Sequence, residues 1–138
     1  MRNNFVCLPI RLVKFMTEKS DLFDYDESVI IDRYLEMVKK KNRLFFDVFE
    51  FENIIDYFIE KNEIKLASEA ISYALSIHPK ALSILEKKAQ VLINDGLHYQ
   101  AMKILKEILK VEQYNASATF LLGVVYCTVG EVSKALQH

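Results

Sequence analysis

The side chains in this chain with most chemistry to offer are carboxylates, and they crowd into one stretch. Residues 17–60 carry twelve acids against six bases. Within that stretch Glu52, Asp56 and Glu60 recur at every fourth position, so on a helix they share one face. Such a face either attracts a cationic partner or is a solvated helix surface. General acid–base catalysis needs a carboxyl group buried well enough to raise its pKa. No pair of acids here is set in an apolar pocket, and the acids are expected on solvent-facing positions or loops. His78, His98 and His138 are far apart and lack metal-ligand spacing, so each is expected at a helix end or on the surface. Cys7 and Cys127 share no motif and suit a reducing, cytoplasmic setting, with Cys127 as a small core residue. The sequence has no glycine-rich phosphate loop, nucleophile elbow or Cys–His arrangement. The reading is therefore non-enzymatic, with no catalytic residue, no metal ligand and no cofactor.

The elements that must position these side chains are helical. Gly (3) and Pro (2) are scarce, while Leu, Lys and Glu are abundant, which favours helices over strands. A length of 138 residues and 51% hydrophobic content fit one globular domain. Residues 1–16 hold three bases and no acid, and residues 61–138 hold nine bases and seven acids. No block is basic enough for a nucleic-acid footprint, and no run approaches the ~18 apolar residues of a membrane span. Residues 1–26 read as a tail or flexible lead-in. The apolar run Phe5–Ile10 contains Pro9 and is too short for a signal peptide. Met16 starts a second acidic opening, so residues 1–15 are either a native tail or an upstream extension.

Asp26 is placed to cap a helix over 27–41 that ends in three lysines. A connector over 42–46 follows. Asp47 and Glu50 then form a capping-box pattern. Six further helices are expected near 48–61, 64–77, 81–94, 98–111, 116–128 and 131–138. Breaks are expected at Asn62, Gly96 and Gly130, residues that tolerate a left-handed turn, and Pro79 is expected to open the third of these helices. Many positions recur every 34 residues: Ala67, Ala101 and Ala135; Phe58, Leu92 and Tyr126; Asn62, Gly96 and Gly130; Ile55, Ala89 and Gly123. A fixed period of this size marks stacked repeats.

These residues resemble the tetratricopeptide (TPR) repeat family, of the bacterial type. The resemblance covers units at 48–81 and 82–115 and an incomplete unit at 116–138. It implies an all-α fold, an α-solenoid of antiparallel helix pairs. Ala67, Ala101 and Ala135 would allow close helix contacts, as would Ala89 and Gly123 in first helices. Lys88, Ile55 and Gln113 depart from the family pattern. The helix at 27–41 lies outside the register and is expected to cap the first unit.

The resemblance also implies a concave groove lined by the first helices, holding a peptide or helix of a protein partner. Its positions here are Phe49, Glu52, Asp56 and Glu60, then Glu86, Gln90 and Asn94, then Phe120, Val124 and Cys127. That groove grades from acidic to apolar. It lacks the cationic clamp that chaperone-docking members use for a C-terminal carboxylate, because anions would meet Glu52, Asp56 and Glu86. A basic or partly apolar partner is expected, with no nucleic acid and no membrane. The alternatives are a structural or regulatory fragment of a larger repeat protein, and self-association through an uncapped C-terminal end. Phe120, Val124 and Cys127 fit either a peptide pocket or a surface under a further helix.

Overall fold

The computed structural model describes residues 26–137, with the backbone alone over 132–137. The lead-in with Cys7, and His138, lie outside the described residues, and so does the side chain of Ala135. The described residues form six helices and no strand: α1 (Glu27–Lys40), α2 (Val48–Glu60), α3 (Ile64–Ile77), α4 (Leu82–Asn94), α5 (His98–Val111) and α6 (Ala116–Gln137).

Local chemistry sets most of the boundaries. Asp26 Oδ1 accepts from the Ser28 amide at 3.1 Å and starts α1. At α2 the capping box closes in both directions. Asp47 Oδ1 accepts from the Glu50 amide at 2.8 Å, and Glu50 Oε2 from the Asp47 amide at 2.9 Å. Asn62 (φ 59°) and Gly96 (φ 77°) adopt left-handed backbone 34 residues apart and end α2 and α4 in the same way. In each turn the next residue, Glu63 or Leu97, donates its amide back to Phe58 or Leu92 at 2.8 Å. The turns after α3 and α5 also match. His78 and Glu112 donate to Ala74 and Ile108, at 2.7 and 2.8 Å. Proline is not needed for this turn, since Gln113 stands in Pro79's place. Nor does Pro79 open α4, as expected above. It sits in the turn, and Ala81 precedes the first helical residue.

Each helix packs against the next, and α4 also touches both α2 and α6, whereas α3 and α5 stay apart. Two apolar clusters result. The first joins α1, α2 and α3 to Ile84 and Val91 of α4. It is aromatic: the Tyr34 ring meets Phe46 and Phe58 edge-on at 5.9 and 6.0 Å. The second is aliphatic, built from Ala89, Ala101, Leu105, Ile108, Ala118 and Val125. Ala67, Ala89 and Ala101 are fully buried.

The connector between α1 and α2 is part of the core. Phe46 has no exposed surface, and enclosing such a side chain stabilises by roughly 1.5–3 kcal/mol. Its neighbours are tied down by hydrogen bonds. Tyr73 donates to the Leu44 carbonyl at 2.7 Å, and His78 Nε2 donates to the Phe46 carbonyl at 2.8 Å. The Arg33 guanidinium lies 4.4 Å from the Phe46 ring and pairs with Glu50 at 2.9 Å. Glu50 is thus a buried acid, against the expectation that the acids of this stretch face solvent. The cap and Arg33 together satisfy its charge, which makes burial tolerable. His78 is at a helix end, as expected, where it caps α3 and is half-buried between the Phe45 and Phe51 rings.

The expected break at Gly130 is absent, and α6 runs unbroken to Gln137. Glycine permits a left-handed turn without requiring one, and by continuing as helix the backbone around Gly130 keeps its i→i−4 hydrogen bonds. The described residues from Ala116 onward are therefore one helix. Gly123 consequently serves no close approach: it is exposed, and an added Cβ would meet nothing within 4 Å. Cys127 is exposed and free rather than a core residue, because no described helix covers its face.

Candidate functional site

Helices α2, α4 and α6, which carry the expected groove positions, form a connected row. The ten expected groove residues divide into three environments along it.

At the α2 end the acids gather around a cleft. Asp56 and Glu60 of α2 face Glu27 and Asp32 of α1 across a space of about 360 Å³. Ile31, Tyr57, Asn53 and Ser28 complete its walls, and no lysine or arginine of the described residues lines it. The α1 contribution was not visible in the sequence, because α1 lies outside the 34-residue register that placed the α2 face. Lys87 was missed as well. Its ammonium reaches from α4 to Asp56 Oδ1 at 2.6 Å, tying α4 to α2. Lys87 is largely covered, so this pair is better shielded than an ordinary surface bridge. Phe49 is exposed and Glu52 half-buried, and neither lines the cleft.

In the middle, Glu86 has a structural task. Its Oε1 accepts from Asn115 Nδ2 at 2.6 Å. Asn115 in turn caps α6 by accepting from the Ala118 amide at 2.8 Å. Glu86 thus brackets the α5–α6 turn, with one carboxylate oxygen engaged by Asn115. Asn115 Nδ2 also donates to Glu112 Oε2 at 2.9 Å, so the two carboxylates hold the turn together. Gln90 is half-buried and Asn94 exposed. A second cleft, of about 480 Å³, opens between α4 and α5. Its floor is Leu85, Leu92 and Ile104, and its rim carries Lys88 and Lys103. The stem of Lys88 can lie along the apolar floor with its ammonium in water.

At the α6 end the surface is open. Phe120 is 71% exposed and Tyr126 49%, and Cys127, Thr119 and Gly123 are exposed beside them. By helical geometry these five positions span an arc of about 120°. Val124 lies at its edge, half-buried, and Ala118 and Val125 are buried on the opposite side. Lys106 approaches the Tyr126 ring at 5.8 Å. The groove positions and the helix-packing positions merge here into one uncharged face.

Electrostatics add little reactivity. Glu36 and Glu107 are held below their ordinary range by hydrogen bonds from Lys40 and Lys110, and then by those ammonium charges. The Tyr34 phenol is pushed up to about 12, chiefly by burial and then by Glu69 and Tyr73. No group of three or more His, Cys, Asp or Glu side chains placed to hold a metal occurs among the described residues. No described helix is long and apolar enough to cross a membrane. No family model matches the chain, and no curated protein matches it.

Proposed function

We propose that this chain is a TPR-like α-solenoid that acts as a non-catalytic interaction scaffold, holding a basic or partly apolar peptide along its first helices. One observation carries the reading. First helices touch first helices (α2–α4 and α4–α6) while α3 and α5 stay apart, so the first helices share a continuous face. That arrangement agrees with the 34-residue register and with equivalent turns at Asn62 and Gly96. The partner's basic end meets Glu27, Asp32 and Glu60, and its apolar end meets Phe120 and Val124. Charge complementarity of this kind steers association and sets orientation. A free, exposed Cys127 fits a reducing compartment, which we take to be the cytoplasm.

Fluorescence anisotropy with matched cationic and anionic peptides, each carrying the same apolar residues, tests this. The cationic set binds more tightly, and Asp32→Lys with Glu60→Lys weakens it by about tenfold at low salt. Equal binding of both sets overturns the reading.

A second reading, a structural or regulatory segment of a larger repeat protein, is favoured by the open face of α6. Phe120 and Tyr126 offer apolar surface of the kind that a further helix or a second copy covers. Sedimentation equilibrium separates these cases: concentration-dependent dimers that Phe120→Glu abolishes identify a second copy.

A further inference from the structure

We infer that the cleft between α4 and α5 is a docking site for an amphipathic helix of a partner protein, one with carboxylates beside its apolar stripe. The site is separate from the row of α2, α4 and α6 and does not depend on how that row is used. On α4, Leu85, Lys88 and Leu92 lie about 170° around the helix axis from Glu86, Gln90 and Asn94.

The same surface occurs twice in the molecule. Leu85, Leu92 and Ile104 form the cleft floor, and Lys88, Lys103 and Glu107 stand around it. The positions 34 residues earlier, on α2 and α3, are Phe51, Phe58 and Ala70, then Ile54, Glu69 and Tyr73. There the apolar members Phe51, Ile54, Phe58 and Ala70 are at most 1% exposed. A helix and its connector cover them. Tyr34 of α1 meets the Phe58 ring edge-on at 6.0 Å, and Phe46 meets the Phe51 ring at 5.5 Å. On α4 and α5, by contrast, Leu85, Leu92 and Ile104 are only half-buried and Lys88 is exposed. Among the described residues only α4 and α5 line this cleft of about 480 Å³. What covers the first surface shows what fits the second. α1 presents Ile30, Ile31, Tyr34 and Met37 as one buried stripe. Grooves that take an amphipathic helix read apolar anchors at this spacing.

Charge selects among such helices. Lys88 stands where α2 has the buried Ile54, and Lys103 where α3 has Glu69. The Glu107 carboxylate is already held by Lys110 at 2.8 Å. Among the described residues neither Lys88 nor Lys103 forms an ion pair. A helix with acids flanking its apolar stripe complements floor and rim together, whereas a basic one meets repulsion.

Two synthetic peptides of the length of α1, 14 residues, test this on the full chain. Both carry Ile, Ile, Tyr and Met at the spacing of Ile30, Ile31, Tyr34 and Met37. One has glutamate at its charged positions and the other lysine. In fluorescence anisotropy at low salt the acidic peptide is expected to bind at least ~10-fold more tightly. Lys88→Glu with Lys103→Glu is expected to reverse that preference. Lys39→Glu with Lys65→Glu, at exposed lysines outside the cleft lining, should leave the acidic peptide's affinity within about twofold. All four lysines are exposed, so neither double variant threatens the core. Equal binding of the two peptides, or an acidic preference that survives reversal of Lys88 and Lys103, overturns the inference. Sedimentation velocity adds a further check. Self-association that the same reversal abolishes makes the occupant a second copy of this chain, and the partner helix falls.

Discussion

Phe46 and Phe120 are the same kind of side chain in opposite situations. Phe46 sits in the connector between α1 and α2 and has no exposed surface, whereas Phe120 sits within a helix and is 71% exposed. The contrast extends to their regions. Around Phe46, three helices and a connector enclose Tyr34, Phe51 and Phe58, and Arg33, Tyr73 and His78 bond to the connector or its neighbours. Around Phe120, α6 buries one side against α4 and α5 and leaves the other uncovered. An aromatic side chain is enclosed when a second layer supplies both apolar area and polar satisfaction for the backbone beside it. The N-terminal half has that second layer in α1. At α6 no described element provides it.

The comparison can be broken most forcefully at Phe46. Phe46→Ala removes a fully enclosed ring and is expected to cost about 3–5 kcal/mol in urea unfolding. A cost below about 1 kcal/mol would mean that the connector is not part of the core. Next in size is Glu50→Ala, which removes both the return arm of the capping box and the partner of Arg33. Charge-assisted hydrogen bonds of this kind are worth about 1.5–3 kcal/mol, so a loss of that order should appear in the same measurement. Glycines sharpen the contrast between the halves because opposite signs are expected. Gly96→Ala forces a side chain into left-handed backbone at φ 77° and loses about 1–2 kcal/mol. Gly123→Ala meets nothing and improves helix propensity, a gain of about 0.5–1 kcal/mol. A loss at Gly123 would show that a helix does approach it.

The remaining effect is a pH dependence confined to alkaline solution. The Tyr34 phenol has a folded pKa of about 12 against an ordinary value of 10.0, so folding favours its neutral form. That contribution is complete below about pH 10 and disappears as the pH rises through about 12. Melting temperature should therefore fall across this window less steeply in Tyr34→Phe than in the parent. Parallel curves would mean that Tyr34 ionises in the fold as freely as in the unfolded chain.

How much was legible in the sequence differs between these regions. Asp26, the Asp47–Glu50 box, Asn62 and Gly96 act on backbone groups within a few residues of themselves. Their effects were readable from type and spacing. The 34-residue period likewise located the buried Ala67 and Ala101. Glu86 and Lys87 were not readable, because their partners, Asn115 and Asp56, lie 29 and 31 residues away on other elements. Glu50 was read only as half of a cap; the Arg33 that makes its burial tolerable is 17 residues upstream. Gly130 misled because its turn signal is permissive, and a left-handed turn forms only when the following segment gains by folding back.

The sequence by itself determined where most helices start and stop, their 34-residue spacing and the uneven charge along the chain. Local hydrogen bonds and backbone sterics act over one or two turns, so residue type is enough. The tertiary structure alone decided which faces are covered. It buried Phe46 and Glu50, exposed Gly123 and Cys127, and set Glu27 and Asp32 opposite Asp56 and Glu60. Burial depends on which distant surfaces meet, and a repeat fixes that for its own helices but not for α1, nor for α6 beyond its last neighbour.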